Sequence, residues 1–429
     1  MLDPIRGGLL KKLLLTCGFL WSMFLMRERL QAQIDPVARQ LIQLGYNQPI
    51  EGRGPLGAYA FYYHNHPGFI RTNWTMRLVV APTYLDSELG VADALGPATD
   101  VGVGIAGGGF ADSYFEIRRG KLFREESFTG HGAETTMAVY HRFNPLPPGS
   151  IPTSLWEIPL QAILRGSMRY SFYSRDDETN PGFVVPEDKL QGEVRAGLRW
   201  GGREPLMQVA QAFELSAWYE GQFRTDTPAY GYQGDREIES QSHLFWGRAL
   251  MAYGFKNGMH IEASITGGTS IQSDRFSAYR LGGALPLASE FPLMIPGYYF
   301  QEISGERFVL LNGNYSFPLG KNFEFMFVGS TAWVDYVTGL ELNVRHLSGA
   351  GGAFGWTSPN NKLHLLIGYG YGFDAIRGET EGAHSIGFLF QYDLERAGET
   401  ALPGMQKVRR AVRQLNPATW RGFDRIFGR

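Results

Sequence analysis

Two short motifs carry residue types that could support catalysis. Residues Gly102–Gly107 have the spacing G-x-G-x-x-G of a dinucleotide-binding turn, but they lie in a glycine-rich, strand-like segment rather than between a strand and a helix. His260 and Glu262 could exchange a proton with a substrate, yet the polar face of a strand explains both. The sequence contains no G-x-S-x-G elbow and no zinc-like spacing of ligands. We therefore predict no enzymatic activity, no cofactor and no metal.

The composition limits the class of protein. The chain of 429 residues has 55 glycines and 14% aromatic residues, but its mean hydropathy is only -0.20. A helical membrane protein would show several continuous apolar runs of about 20 residues, and none occurs. The formal net charge of -2 gives no reason to expect a nucleic-acid partner. A sheet that is apolar on one face only fits this composition.

Most of the chain after residue 56 alternates between apolar and polar residues. Between Lys189 and Trp200, for example, Leu190, Val194 and Leu198 alternate with charged side chains. Such runs reach the 9–11 residues or so that a tilted strand needs to cross a bilayer, whereas strands of a soluble sandwich average about 5–6. The sequence therefore predicts an all-β fold, a transmembrane antiparallel β-barrel of about 14–16 strands with short N- and C-terminal helices. The higher number applies if residues 101–128 contain another hairpin.

The polar face of these strands carries charges of both signs. A selective pore often concentrates one sign at a constriction, whereas mixed charges pair across the wall and favour a filled interior. The side chains predicted to face the lumen are Arg165, Arg169, Lys189, Glu193, Arg195, Arg199, Glu214, Glu220, Arg224 and Glu262.

The N-terminal residues predict export. Residues 1–32 have the basic start and short apolar run of a secretory signal peptide, with cleavage after Ala32; a retained anchor, or a lipoprotein modified at Cys17, are the alternatives. Residues 33–55 are predicted as a periplasmic helix and linker, because Asp35 can cap a helix and Leu41 and Ile42 share a face with Val37. The barrel is predicted over residues 56–395.

Residues 396–429 are predicted to form a basic amphipathic tail. Val408, Val412 and Leu415 have helical spacing beside basic residues, and Trp420 with Phe423 and Phe427 repeats the pattern after Pro417. The tail either lies on an anionic membrane surface or packs against the barrel, as a rim contact or a plug. Short turns alternate with long loops, which predicts an outer-membrane protein with both chain ends in the periplasm.

Two stretches, the run from Arg275 to Leu319 and the last strand from Ser385 to Tyr392, resemble the barrels of the BamA / bacterial surface antigen superfamily. They match the order of that family's "RF-x-LGG … RGY/F … N-x-E-Y-R-F-P-L" run and its barrel-recognition signal, and four further strands follow the run here as in the family. The residues that carry the resemblance are Arg280, Gly282 and Gly283, then Pro296, Gly297 and Tyr298, then Tyr315, Phe317 and Pro318, and in the last strand Gly387, Phe390 and Tyr392.

The resemblance implies a long external loop that folds into the lumen and a transport or assembly role. Pro296 stands where the family has its lumenal arginine, and Val328 aligns with the partner aspartate, so the loop is expected to be held differently. No periplasmic POTRA module is predicted between the signal peptide and the barrel.

Three functions stay open at this point: a transport or assembly barrel, a passive porin-like pore, and a structural or surface-binding barrel. The expected partners are lipopolysaccharide on the outside and phospholipid on the inside of the outer membrane, and the barrel-assembly machinery during biogenesis. The transport or assembly alternative adds a periplasmic protein partner.

Overall fold

The described part of the chain is built from β-strands. The computed structural model describes residues 38–55, 57–145, 157–202, 211–255, 257–283 and 291–394. Sixteen strands form a closed antiparallel barrel, and two short strands, β6 and β13, lie in loops. The strands are β1 (Arg39–Pro49), β2 (Gly57–Pro67), β3 (Trp74–Val80), β4 (Tyr84–Val91), β5 (Thr99–Gly108), β6 (Tyr114–Arg118), β7 (Lys121–Arg142), β8 (Leu160–Ser174), β9 (Lys189–Gly202), β10 (Gln211–Arg224), β11 (Gln241–Gly254), β12 (His260–Ile271), β13 (Tyr279–Leu281), β14 (Ile303–Pro318), β15 (Phe323–Tyr336), β16 (His346–Thr357), β17 (Leu363–Arg377) and β18 (Thr380–Asp393).

The barrel closes where its first and last strands meet. Strands β1 and β18 pair from Leu41 opposite Asp393 to Pro49 opposite Ser385, and we call this pairing the closing seam. Inside the barrel, the amide nitrogen of Gln43 donates a hydrogen bond to Gln391 Oε1 across the seam at 3.1 Å. Closure satisfies the backbone of every barrel strand, as hydrocarbon requires. The predicted fold class is confirmed, with 16 strands.

The two faces of the wall differ as the alternation predicts. In β10, Glu214 and Glu220 point inward and are 1% and 3% exposed, whereas Leu215 points outward and is 51% exposed. Outward apolar side chains of this kind occur all around the outer face of the barrel. They suit this face because it contacts lipid. The fold is therefore that of an outer-membrane transmembrane β-barrel.

The start of the barrel corrects one sequence prediction. Part of the segment predicted as helix and linker, Arg39–Pro49, forms β1, so the barrel begins before residue 56. Leu41 points inward and Ile42 outward, although both were expected on one helix face. In so short a segment, the apolar residues fit the period of a helix as well as that of a strand. The pairing with β2 and β18 shows that the segment is a strand.

The two ends of the barrel carry different connections. We call the end where β1 begins and β18 finishes the terminus end; it has turns such as residues 68–73 and 319–322. The opposite loop end carries the connections 175–188, 225–240 and 272–302, and also β6, which pairs with a part of β7 that extends past the barrel; the terminus end has one connection of similar length, 143–159.

Several predictions concern residues outside the described ranges. These are the signal peptide, the C-terminal tail and its helices. Among the described residues, no helix is long and apolar enough to cross a bilayer.

Candidate functional site: a loop through the barrel interior

The connection between β12 and β14 enters the barrel. We call its described parts, residues 272–283 and 291–302, the lumenal loop. Strand β13 pairs with the start of β14, and Gly283 bridges to Ile295. Leu281, Ile295 and Tyr298 are all 0% exposed, so the loop is part of the protein core and is not a solvent-exposed loop.

One part of the lumenal loop contacts the wall formed by β9, β10 and β11. The ring centroid of Phe291 lies 5.5 Å from that of Trp218 and 6.0 Å from that of Trp246, both edge-on. The guanidinium carbon of Arg248 lies 4.3 Å from the Phe291 centroid. Aromatic edge contacts and a cation over the ring face stabilise this position.

The next part of the loop lies in a gap that glycines leave in the wall. A Cβ atom added to Gly349 would lie 2.3 Å from the Pro296 carbonyl oxygen, and one added to Gly370 would lie 2.8 Å from Pro296 Cβ. Gly297 has a φ of +88°, and a Cβ there would lie 1.8 Å from the nitrogen of Gly372. Only glycine tolerates this backbone conformation and contact. We call Gly349, Gly370 and Gly372 the glycine notch.

A buried ion pair fixes the loop beside the notch. Arg377, at the end of β17, donates hydrogen bonds to both carboxylate oxygens of Glu302, at 2.7 and 2.9 Å, and to the Gly297 carbonyl at 3.2 Å. Its guanidinium carbon lies 3.6 Å from the Tyr299 ring centroid. Both partners of this Arg377–Glu302 clamp have side chains only 3% exposed. A bidentate, desolvated pair of this kind is strong when intact and costly when one partner is lost.

The lumenal loop also contacts both sides of the closing seam. The Gly297 N–H donates to Ser385 Oγ in β18 at 3.1 Å, and the Tyr299 hydroxyl donates to the carbonyl oxygen of Glu51, between β1 and β2, at 3.2 Å. The carboxylate of Glu51 in turn accepts a hydrogen bond from the His384 N–H at 2.6 Å. The loop thus braces the seam from inside.

The clamp explains how the loop is held without the arginine expected from the resemblance. Pro296, which stands in its place, packs on Gly349 and Gly370, and Val328 lies on the inner face of β15. The cation comes from Arg377 instead. Sequence reasoning missed this residue because it lies 75 positions from its partner, at the end of a strand where a solvated charge is expected.

The inner face of β3 to β11 places most of the predicted lumenal charges in ion pairs, whereas the Lys189 ammonium lies 4.1 Å from the Phe276 ring centroid. Arg195 bonds Glu220 at 2.5 Å, and Arg248, which was not predicted, bonds Glu214 at 2.6 Å. Glu262 lies apart from them, on β12. We call this face the charged wall. The ion pairs of its side chains, some with loop carboxylates, are Arg77–Asp86, Arg77–Glu88, Arg142–Asp100, Arg169–Asp112, Arg169–Glu134, Arg195–Glu193, Arg195–Glu220, Arg199–Glu214, Arg224–Asp274 and Arg248–Glu214.

The long connections pack together at the loop end, where Arg236 is the central charge. Arg236 is 2% exposed and pairs with Glu116 at 3.5 Å and with Glu126. Burial acts to lower the pKa of Arg236, but the two carboxylates raise it overall, so the guanidinium stays charged. The buried side chains of this loop cap, from three different connections, are Tyr114, Phe128, Phe183, Tyr230 and Ile238.

The remaining motif residues are placed as follows. Arg280 lies with its guanidinium carbon 5.0 Å from the Tyr114 centroid, which joins the lumenal loop to the cap. Gly282 and Gly283 have φ of +123° and +102° where the chain turns inward. Tyr315, Phe317 and Pro318 form the end of β14. In β18, Gly387 lies opposite Gly368 and Asn47, and Phe390 and Tyr392 belong to the outward set.

The described residues contain no group of three or more metal-ligating side chains that could hold an ion. The glycine motif at residues 102–107 lies within β5, where no helix follows.

Comparison with solved structures identifies the fold. CdiB from Acinetobacter baumannii matches with a TM-score of 0.53 and 11% identity, over 85% of this chain and 61% of that one. CdiB from Escherichia coli matches with a TM-score of 0.51 and 13% identity, over 85% and 64%. BamA from Haemophilus ducreyi, lacking POTRA domains 1-3, matches with a TM-score of 0.49 and 10% identity, over 83% and 70%. No protein-family model and no curated protein sequence matches the chain.

The two CdiB matches confirm the predicted resemblance at the level of the fold, which in this chain is a closed 16-stranded barrel. The chain matches less than two thirds of the length of either CdiB protein. The arrangement therefore defines a class, an outer-membrane β-barrel with a loop anchored in its interior, rather than one activity.

Proposed function

We propose that this protein is a transport or assembly component of the outer membrane whose resting barrel is occluded by the lumenal loop. One observation carries the proposal: the loop contacts β10 and β11 of the charged wall through Phe291 and is clamped to the end of β17, several strands away, by Arg377. A barrel that opens only for a substrate needs such a closed state.

The orientation and partners belong to the same proposal. Both chain ends lie in the periplasm, the loop cap faces outward, and lipopolysaccharide and phospholipid surround the two ends of the apolar belt. The proposal includes a periplasmic protein that delivers substrate to the terminus end, and no catalytic step in the barrel. This follows the alternation of short turns and long loops that outer-membrane barrels share.

Planar-bilayer recording tests the occluded state. The intact protein should give no steady conductance, and deletion of residues 284–300 should give a stable open channel, because the segment that crosses the interior is gone. Gly329→Ala is a matched control, since a Cβ there meets nothing within 4 Å, and it should stay closed. Steady conductance of the intact protein would contradict the proposal and support the passive pore.

A further inference from the structure

The hairpin of β6 and β7 crosses the loop-end mouth of the barrel. Its strands pair between Tyr114 and Phe128, and from Thr129 onward β7 belongs to the barrel wall. Six barrel strands separate β7 from β17 in one direction around the barrel and eight in the other, so the two lie on opposite sides. Gly120, at the tip of the hairpin, nevertheless contacts the end of β17. We call residues 114–128 the strap.

The tip of the strap rests on the backbone that carries the clamp. Arg119 and Gly120 form its two-residue turn, with φ of +50° and +68°. A Cβ added to Gly120 would lie 1.6 Å from the Ile376 carbonyl oxygen and 3.0 Å from Arg377 Nη1. The same carbonyl oxygen accepts a hydrogen bond from Arg377 Nη1 at 2.7 Å. The tip therefore contacts a group that orients the guanidinium of Arg377 in the clamp.

The base of the strap contacts the start of the lumenal loop. Glu116, which is 0% exposed, has a carboxylate oxygen 3.4 Å from Arg275 Nε. The ring centroid of Tyr114 lies 5.0 Å from the guanidinium carbon of Arg280 and 5.8 Å from the ring centroid of Phe276. The strap therefore contacts the lumenal loop near its start and, at its tip, the clamp that holds the end of the loop.

The strap is held differently at its base and at its tip. At the base, the buried Arg236 pairs with Glu116 and with Glu126. At the tip, the side chain of Lys121 stays within the strap, with its ammonium 5.0 Å from the Phe123 ring centroid. The tip touches β17 through a residue that has no side chain. It can therefore lift away from β17 without breaking an ion pair, while the base stays in place.

We propose that the strap controls the release of the lumenal loop. While its tip rests on Ile376, the Arg377–Glu302 clamp stays closed, and displacement of the tip at the outer face loosens the clamp. The inference rests on the proposed function in one respect, that the loop leaves its resting position for a substrate. Because coupling between two sites is reciprocal, opening the clamp must also loosen the strap.

Hydrogen–deuterium exchange of the full-length protein in detergent tests the first direction of this coupling. Asparagine tolerates the left-handed conformation of Gly120, but the Cβ of Gly120→Asn cannot share the space of the Ile376 carbonyl, so the tip must lift. Amides of residues 295–302 should then exchange at least about tenfold faster, while those of residues 193–199 in the charged wall should not change.

Gly234→Asn is the matched control within the loop cap. Gln233 and Gly234 have φ of +56° and +76°, like the turn of the strap, but a Cβ at Gly234 has its nearest neighbour at 3.4 Å, an ordinary contact. This variant should leave the exchange of residues 295–302 unchanged. Equal exchange there in the two variants, or faster exchange in Gly120→Asn that spreads equally to residues 193–199, would overturn the proposal.

The reverse direction needs no change in the strap, so it remains testable if Gly120→Asn does not fold. Arg377→Met with Glu302→Met opens the clamp, and amides of residues 116–123 should exchange at least about fivefold faster. In that background, Gly120→Asn should add nothing to the exchange of residues 295–302, because it acts through the clamp. An unchanged strap in the double variant would overturn the coupling. Conductance plays no part in these measurements, so steady conductance of the intact protein would refute the proposed function alone.

Discussion

The charged wall and the wall that holds the glycine notch line the same interior with opposite chemistry. The charged wall fills its share of the lumen with its own long side chains, which pair with one another, as Arg195 does with Glu220. The notch glycines Gly349, Gly370 and Gly372 carry no side chain, and residues 296–298 of the lumenal loop fill the space there instead. Where side chains fill the interior, the sequence of each strand alone determines the filling. Where a loop fills it, a segment distant in sequence must be positioned and held in place.

We expect the largest loss of stability when the Arg377–Glu302 clamp is broken. Arg377→Met leaves the Glu302 carboxylate buried without its cation, and should lower the free energy of unfolding by about 3–5 kcal/mol. The measurement is urea unfolding of the refolded barrel in detergent. Arg377→Met with Glu302→Met removes both charges and should recover much of the loss; a double variant as unstable as the single one would refute the clamp.

The next largest loss of stability is expected from a charge placed on the outer, lipid-facing side of the wall instead of on its inner side. Ile265→Arg places a charge in the lipid near the middle of β12 and should cost about 2–4 kcal/mol. Ser264→Arg, one residue away and facing the lumen, should be mild. Heat-modifiable mobility on gels measures both, and equal effects would mean that the faces are assigned wrongly.

A smaller loss of stability is expected from alanine at a notch glycine than from the changes above, and none from alanine at a neighbouring glycine outside the notch. Gly370→Ala brings a Cβ to 2.8 Å from Pro296, so either the loop or the strand must shift, at about 1–3 kcal/mol. Gly368→Ala is the matched control, because its Cβ would have its nearest neighbour at 3.6 Å, an ordinary contact. If the two variants unfold at the same urea concentration, the loop does not rest on the notch.

The smallest effect lies at the surface of the loop cap. Arg124 and Glu178 form an ion pair with side chains 50% and 56% exposed, unlike the buried pairs of the charged wall. Arg124→Ala should therefore change the free energy of unfolding by about 0–1 kcal/mol. A loss as large as that of Arg377→Met would show that exposure does not separate the two kinds of pair.

The sequence predicts the parts of this protein that depend on local alternation. Strand β9, where Lys189, Glu193, Arg195 and Arg199 fall on alternate positions, could be assigned to the barrel and to a face without any structure, because a period of two fixes both. Strand β1 could not, since Leu41 and Ile42 fit a helix as well, and only pairing across the closing seam decides between them.

The candidate site was predictable only in part, for a related reason. The resemblance located the loop at Pro296, Gly297 and Tyr298, and the missing arginine indicated a different attachment. It could not identify Arg377 or Glu302, because an ion pair between distant segments leaves no periodic pattern. The notch glycines were visible only as part of a glycine-rich composition.

Disulfide formation between the loop and the notch tests the central claim most directly. With Cys17→Ser as background, Pro296→Cys combined with Gly370→Cys should form a disulfide as the barrel folds, because the two Cβ positions lie within reach. Pro296→Cys combined with Val328→Cys should stay reduced. A disulfide to position 328 and none to position 370 would contradict the account, since the loop would then rest on β15 rather than on the glycine notch.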